Sequence, residues 1–326
     1  MTGDLGQRQP VGGSPPYKRN PSAALNIEGC AAYRLFQDIF ILNRVQRQTA
    51  AAANDDDQRG FIELLPRARD GQLCDEAWHL LLKRQPNSLT AAEKADFEDA
   101  TRLFFSKKEV NKNNGKKVRE LDNPVARVSA VHTGANARRA SADNAEGLER
   151  DLFLGKGANI LLSKNLYQQV GLVNGIGGVV VELVYADDAP PPKLPLYVVV
   201  NFEGYSGGDW SSQERYRGRV PISPVDTMWQ GGGTQVRTQL PLRLCWAITM
   251  HKSQGRTLAK AVIDLETKEA CTGLTFVCLS RAKKLVDFIV EPMSFDRIGN
   301  LGNSSTMKAR LQEEVRLGEL AQSTRV

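Results

Sequence analysis

Thr249–Met250–His251–Lys252–Ser253–Gln254–Gly255 and Phe276–Val277–Cys278–Leu279–Ser280–Arg281–Ala282 are the two stretches whose reading decides the fold. Between them lie a short apolar run at 261–265, read as a strand, and a turn. The apolar residues 244–249 predict a buried strand that stops at the first stretch. In a parallel sheet, polar groups that bind a ligand belong at such carboxyl ends. Thr249, Ser253 and Thr257 offer hydroxyls to phosphate oxygens, and Gln254–Gly255 lets a backbone come close because glycine has no Cβ. The second stretch predicts another buried strand, 274–279, with Arg281 just past its end. An arginine fork there can stabilise charge that develops in phosphoryl transfer. Alone, Arg281 would read as a local ion-pair partner and His251 as an ordinary hydrogen-bonding histidine; the two stretches together favour the phosphate reading.

Working outward, apolar spacing predicts a helix over 24–40, followed by an extended 39–42 and a polar spacer at 50–58. Further helices are expected at 61–69, 76–83 and 91–100, the last with Thr90 as its N-cap. A strand at 102–105 and a basic helix at 107–121 follow, then an irregular 138–149. This alternation argues for an α/β layer with a largely parallel sheet. From 155 the texture changes: strands at 158–162, 179–184 and 196–202, separated by turn-rich segments, suggest a small antiparallel barrel that 231–233 closes. The α/β texture returns at 242–292, and 297–326 reads as a mobile tail or a peripheral helix.

Composition bounds the function. The 326 residues suffice for two or three small domains, and 41% apolar with 25% charged residues is the balance of a globular protein. No apolar run approaches a bilayer-spanning length, so no membrane partner is expected. The net charge of +6 is compatible with a polyanionic partner without requiring one. Five scattered cysteines and three isolated histidines form no CxxC or similar ligand set, so no metal site is expected from protein ligands.

Taken with their order, the two stretches resemble motifs V and VI of superfamily-1 nucleic-acid helicases, most closely those of the PIF-type (petite integration frequency) DNA helicases and their transposon-borne relatives. Gly3–Asp4–Leu5–Gly6–Gln7 with Pro10–Val11 resembles motif III of that family, although Arg8–Gln9–Pro10 replaces its usual Leu–Pro–Pro. Leu42–Asn43–Arg44–Val45–Gln46–Arg47–Gln48 resembles the strand and Arg–Gln that open the family's second core domain. Gly171–Leu172–Val173–Asn174–Gly175, then Gly178–Val179–Val180, matches the family's GLVNGxxG–V segment, physically a turn needing positive φ at its glycines. Lys156, Lys164 and Asn165 stand near that turn, and five lysines lie within 107–117, although such a run is usually a solvated helix face.

The resemblance covers about residues 3–295. It implies a second RecA-like helicase core domain, a parallel sheet with helices on both faces, at 25–154 plus 239–296. It places an inserted β-barrel at 155–238, a remnant of the first RecA-like domain at 1–24, and a tail at 297–326. The implied activity is ATP-dependent DNA unwinding of 5′-to-3′ polarity, by a monomer acting on single-stranded DNA with ATP and Mg2+ in the nucleus or mitochondrion. Repair, recombination and telomere maintenance are the implied settings. Arg281 would be the arginine finger, Arg47 a second cation, and Gln7 the γ-phosphate sensor. Gln254 and Gly255 would face the nucleotide, while Thr249, His251, Lys252, Ser253, Thr257 and Asn174 would face DNA. No P-loop is present: Gly115–Lys116 is followed by Lys117, and Gly155–Lys156 by Gly157. No strand ending in paired Asp–Glu precedes Gly3. The expectation is therefore a fragment inactive alone. The alternative is a non-catalytic single-stranded nucleic-acid-binding module or an inert relic.

Overall fold

The structure is a computed structural model that describes residues 3–7, 14–18, 20–42, 44–48, 55–267, 269 and 271–324. Pro10–Val11, the departure at Arg8–Gln9–Pro10, Asn43 and most of the 50–58 spacer lie outside those residues. The chain divides into two compact units, Met1–Lys107 with Ile248–Val326, and Lys108–Ala247.

The first unit is built on a four-stranded sheet in the order Ala247–Thr249, Thr101–Phe104, Ala261–Asp264, Phe288–Glu291. Thr101 aligns with Ala261, and Ala261 with Phe288, both pairings parallel. Ala261, Val262 and Ile263 are all buried in succession, as are Phe288, Ile289 and Val290. Continuous burial, where alternation would leave one face wet, means that both faces of the sheet are covered. The helix Asp56–Arg69 supplies part of the cover. Its Phe61, Leu64, Leu65 and Ala68 fall on one stripe at the i, i+3, i+4, i+7 spacing, and Phe61 packs on Phe288 with ring centroids 5.4 Å apart. Asp55 caps this helix by accepting from the Gln58 amide. The helix Asp75–Leu82 also forms where expected. Thr90 caps Ala91–Ala95 through a reciprocal bond with Glu93, but that helix is shorter than the spacing predicted. The first helix likewise stops at Arg34.

One expectation fails in kind. Residues 274–279 form a helix, Leu274–Leu279, and no strand. Leu274, Val277 and Cys278 share the buried stripe of that helix, and a short apolar run does not distinguish the two structures by periodicity. Gly273, at φ +84, starts it in a backbone conformation that suits glycine. The C-terminal region reads as a helix, Ser305–Ser323, anchored by buried Met307 and Arg310.

The second unit is antiparallel. Its five-stranded sheet runs Leu242–Leu244, Asn159–Leu162, Gly177–Val184, Tyr197–Phe202, Val220–Ile222. A three-stranded sheet pairs Thr234–Gln239 with Val131–Thr133 on one side and Val225–Gln230 on the other. Val125–Ser129 pairs with Asp151–Gly155, so the segment from 108 to 154 packs with the strands after 155. Val128, Leu154, Ile160, Val198, Val200, Leu240 and Leu242 make a fully buried core. The strand Thr234–Gln239 alternates, but with polar Gln235, Arg237 and Gln239 inward.

Phe61→Ala should remove the ring that seats the Asp56–Arg69 helix on the sheet. A loss of about 3–5 kcal/mol of unfolding free energy is expected in urea titration, the usual range for a buried Phe truncation.

Candidate functional site

The strand Ala247–Thr249 is wholly buried and ends in a single helical turn, Met250–Ser253. After it, Gly255 takes φ +81, with open space where a Cβ would stand. Past Gln254–Gly255 the chain enters the strand Ala261–Asp264 and then, after Gly273, the helix Leu274–Leu279.

Arg281 ties the two quoted stretches together. Its Nε donates to the Val277 carbonyl at 2.6 Å, and its Nη2 to the Ser280 hydroxyl at 2.7 Å. Its Nη1 reaches across to the carbonyls of Ser253 at 3.5 Å and Arg256 at 3.3 Å, on either side of the Gly255 turn. The side chain is 1% exposed. Arg47 approaches the same place from outside. It donates through Nε to the Thr257 hydroxyl and through Nη1 to the Ser280 carbonyl, both at 3.0 Å. Gln48 adds bonds to the carbonyls of Ser280 and Ala282. Among the described residues no carboxylate pairs with either arginine. Burial, then the nearby charge of Arg47, pulls the Arg281 guanidinium down to about 10, so it is still a cation at neutral pH. Burial lowers Arg47 as well. Two uncompensated guanidiniums around one serine make a site that favours an anion.

The segment 3–7 joins this site through Gln7, whose Oε1 accepts from Gln254 Nε2 at 3.0 Å. Gly273 permits that approach: a Cβ on it would stand 2.5 Å from the Gly6 carbonyl oxygen. Asp4 fixes the segment. It accepts from the Gly6 amide at 2.8 Å and from Arg69 Nε and Nη2 at 2.9 and 2.6 Å. Arg69 in turn grips both oxygens of Glu314 on the C-terminal helix, at 2.9 and 2.6 Å. Burial pushes the Asp4 carboxyl upward, but the bond and charge of Arg69, with the Gly6 amide, hold it below its ordinary value.

Of the residues singled out in the sequence, Gln7, Arg47, Gln254, Thr257 and Arg281 are brought together, with Gly255 at their turn. Thr249 and Ser253 are buried, and the Ser253 hydroxyl donates to the Met250 carbonyl at 2.7 Å. The ring of His251 lies 5.4 Å from that of Phe105, and Lys252 is exposed. Asn174 belongs to the second unit, where its amide donates to Asn165 Oδ1 at 2.7 Å in an exposed turn flanked by positive-φ Gly171 and Gly175. Gln48 and Ser280 lie in quoted stretches but were given no role, and Gly273 lies outside those stretches. A glycine directly before an apolar run was the one usable signal.

Residues 144–183 match the family model described as DNA helicase Pif1, 2B domain. The ATP-dependent DNA helicase PIF1 of Danio rerio is 33% identical over 255 residues, 78% of this chain and 35% of that protein. Its Homo sapiens counterpart is 34% identical over 228 residues, 69% of this chain and 32% of that protein. The chain thus spans about a third of the length of these relatives. Among solved structures, the Pif1 helicase from Candida albicans aligns with TM-score 0.61 and 24% identity, covering 80% of this chain and 59% of that one. Bacteroides Pif1 bound to ssDNA aligns with TM-score 0.59 and 19% identity, covering 91% and 63%.

Cys278 reports on how closed the site is. Burial raises its thiol from 9.0 to about 12. The folded thiol therefore keeps a proton that the unfolded one loses. Its contribution to stability is full below pH 9 and is lost as pH rises toward 12. At pH 8, iodoacetamide should leave Cys278 unmodified in the folded chain while labelling half-buried Cys74, as read by peptide mass mapping; urea should make both reactive.

Proposed function

The chain belongs to the PIF-type DNA helicase family, and from that premise we propose that it supplies one half of an ATP site coupled to DNA unwinding. The observation that carries the reading is the meeting of Arg47, Arg281, Gln7 and Gln254 with no carboxylate among them. A triphosphate is the kind of anion that such a pair of forks suits. ATP would supply the transferable phosphoryl group. Arg47, half-buried at the mouth, contacts phosphate oxygens from its present position. Arg281 holds the Gly255 turn. To act as the finger it exchanges its two longest bonds, those to Ser253 and Arg256, for phosphate oxygens. Gln7 senses the terminal phosphate through Gln254, and exposed Lys252 and Thr257, with half-buried His251, are the groups of this stretch that reach DNA, while Thr249 and Ser253 are buried.

The finer reading is that the first unit contains a second RecA-like core and the second unit an inserted small barrel bearing Asn174. The activity is 5′-to-3′ unwinding by a monomer acting in the nucleus or mitochondrion. Among the described residues no His, Cys, Asp or Glu cluster could hold a metal, so no ligand for Mg2+ is assigned and no step runs through it. With no P-loop in its sequence, the chain alone should not hydrolyse ATP, because positioning is nearly all of phosphoryl-transfer catalysis.

Two measurements test this. A malachite-green assay should detect no turnover by the chain alone, with or without single-stranded DNA. In a fusion supplying the P-loop domain of a PIF-type relative, Arg281→Ala should cut turnover by at least about 10³-fold, and Arg281→Lys should rescue poorly. Unchanged turnover in that fusion would reduce Arg281 to a structural tie. Separately, fluorescence anisotropy should show weak, sequence-independent binding of single-stranded DNA by the chain, with a log–log salt slope of about −0.7 per phosphate neutralised. A salt-independent signal would count against DNA contact.

A further inference from the structure

We propose that the 134–150 loop and the strand Thr234–Gln239 of the second unit form a binding site for a phosphate group, separate from the Arg47–Arg281 site. Arg237 is the centre of it. The side chain is 0% exposed. Its Nη1 donates to the Leu148 carbonyl at 2.9 Å, and its Nη2 to the carbonyls of Ala137 and Ala140 at 2.9 and 2.7 Å. Its Nε is buried with no partner. Three carbonyls fix the guanidinium but do not neutralise it, and a buried cation left in that state is costly.

The arginine opens on a cavity of about 280 Å³ that Arg138, Arg139 and Arg150 also line, against the two carboxylates Glu149 and Asp151. Both carboxylates are already engaged. Glu149 lies 3.4 Å from Arg243 Nε. Asp151 accepts from Ser129 and pairs with Arg127 at 3.0 Å and Arg150 at 3.2 Å. The side chains of exposed Arg138 and Arg139 have no hydrogen-bond or ion-pair partner among the described residues, although the Arg139 amide donates to the Asn136 carbonyl at 3.1 Å. The cavity therefore gathers three guanidiniums with unspent charge, one of them buried.

His132 senses the same field. It sits opposite Arg237 on the paired strand, and its Nδ1 is buried without a partner. Burial first, then the charges of Arg237, Arg138 and Arg150, hold its imidazole below the ordinary value, with Asp151 opposing them. Several planar forks around a small polar cavity match the tetrahedral oxygens of phosphate better than a single carboxylate. That phosphate comes either from a nucleic-acid backbone or from free phosphate. The first source rests on the DNA-binding reading above, and the second does not.

The test uses the full chain and Arg138→Gln/Arg139→Gln, two exposed positions whose loss leaves the buried tie of Arg237 in place. At constant ionic strength, inorganic phosphate should raise the melting temperature of the wild type, and acetate should not. The double variant should melt at the wild-type temperature without phosphate and bind phosphate at least tenfold more weakly. If the source is a backbone, labelled oligo(dT) should also bind the variant more weakly, with the salt slope reduced by up to about 1.4, at about 0.7 per lost contact. If it is free phosphate, oligo(dT) binding should be unchanged. Equal effects of phosphate and acetate, or equal phosphate affinity in the two proteins, would overturn the site while leaving DNA binding intact. A wild type with no salt-dependent oligo(dT) binding but with phosphate binding would instead sink only the DNA-binding reading.

Discussion

The Arg281 guanidinium, buried and bonded to backbone carbonyls on both sides of the Gly255 turn, is the constraint on which the first unit's functional end depends. Carbonyls satisfy its donors without cancelling its charge. The turn after Ser253 and the helix after Gly273 are thereby held in one register. The positive field stays available to whatever anion reaches the mouth beside Arg47. A carboxylate in the place of either carbonyl would stabilise the fold more simply and would quench the field. The geometry gives up some stability to keep a charge unpaired.

The parallel sheet makes this placement possible. Three of its four strands are buried residue after residue, so polar side chains collect beyond their ends, where Gln254 and Gly255 follow Thr249 and where Arg281 follows its helix. The second, antiparallel unit works by a different rule. There the inward residues of Thr234–Gln239 are polar, and Gln235 and Gln239 find backbone partners while the Arg237 Nε is left without one. Gln235 accepts from the Asn136 amide, and Gln239 donates to the Val128 carbonyl and accepts from the Leu240 amide. A strand of this kind orders loops more than it fills a core.

That difference explains what could be read from the residues alone. The apolar stripe at 61–69, the Thr90 cap, the basic helix and the glycines around Asn174 each leave a local pattern that was legible, whereas the first turn of the Asp56–Arg69 helix was read as spacer because its residues are polar. The strand Thr234–Gln239 was not, because its hydrophobic signal is inverted. The helix Leu274–Leu279 was misread as a strand because six apolar-rich residues carry no period. Arg47, Gln7, Gln254 and Arg281, singled out through resemblance, come together in the structure, but their partners were not legible. Bonds to carbonyls of Val277, Ser253 and Ser280 leave no trace in residue type, since every residue has a carbonyl.

The tie from Asp4 through Arg69 to Glu314 spans 65 residues in its first step and 245 in its second. Contacts this distant close only after the intervening chain has been ordered. On a ribosome, Asp4 is made before Arg69 and Arg69 before Glu314, so the complete network cannot exist until Glu314 has emerged. Until then Gln7 lacks the support that Arg69 and Glu314 together give its segment, so this corner of the molecule is set by residues far downstream of it.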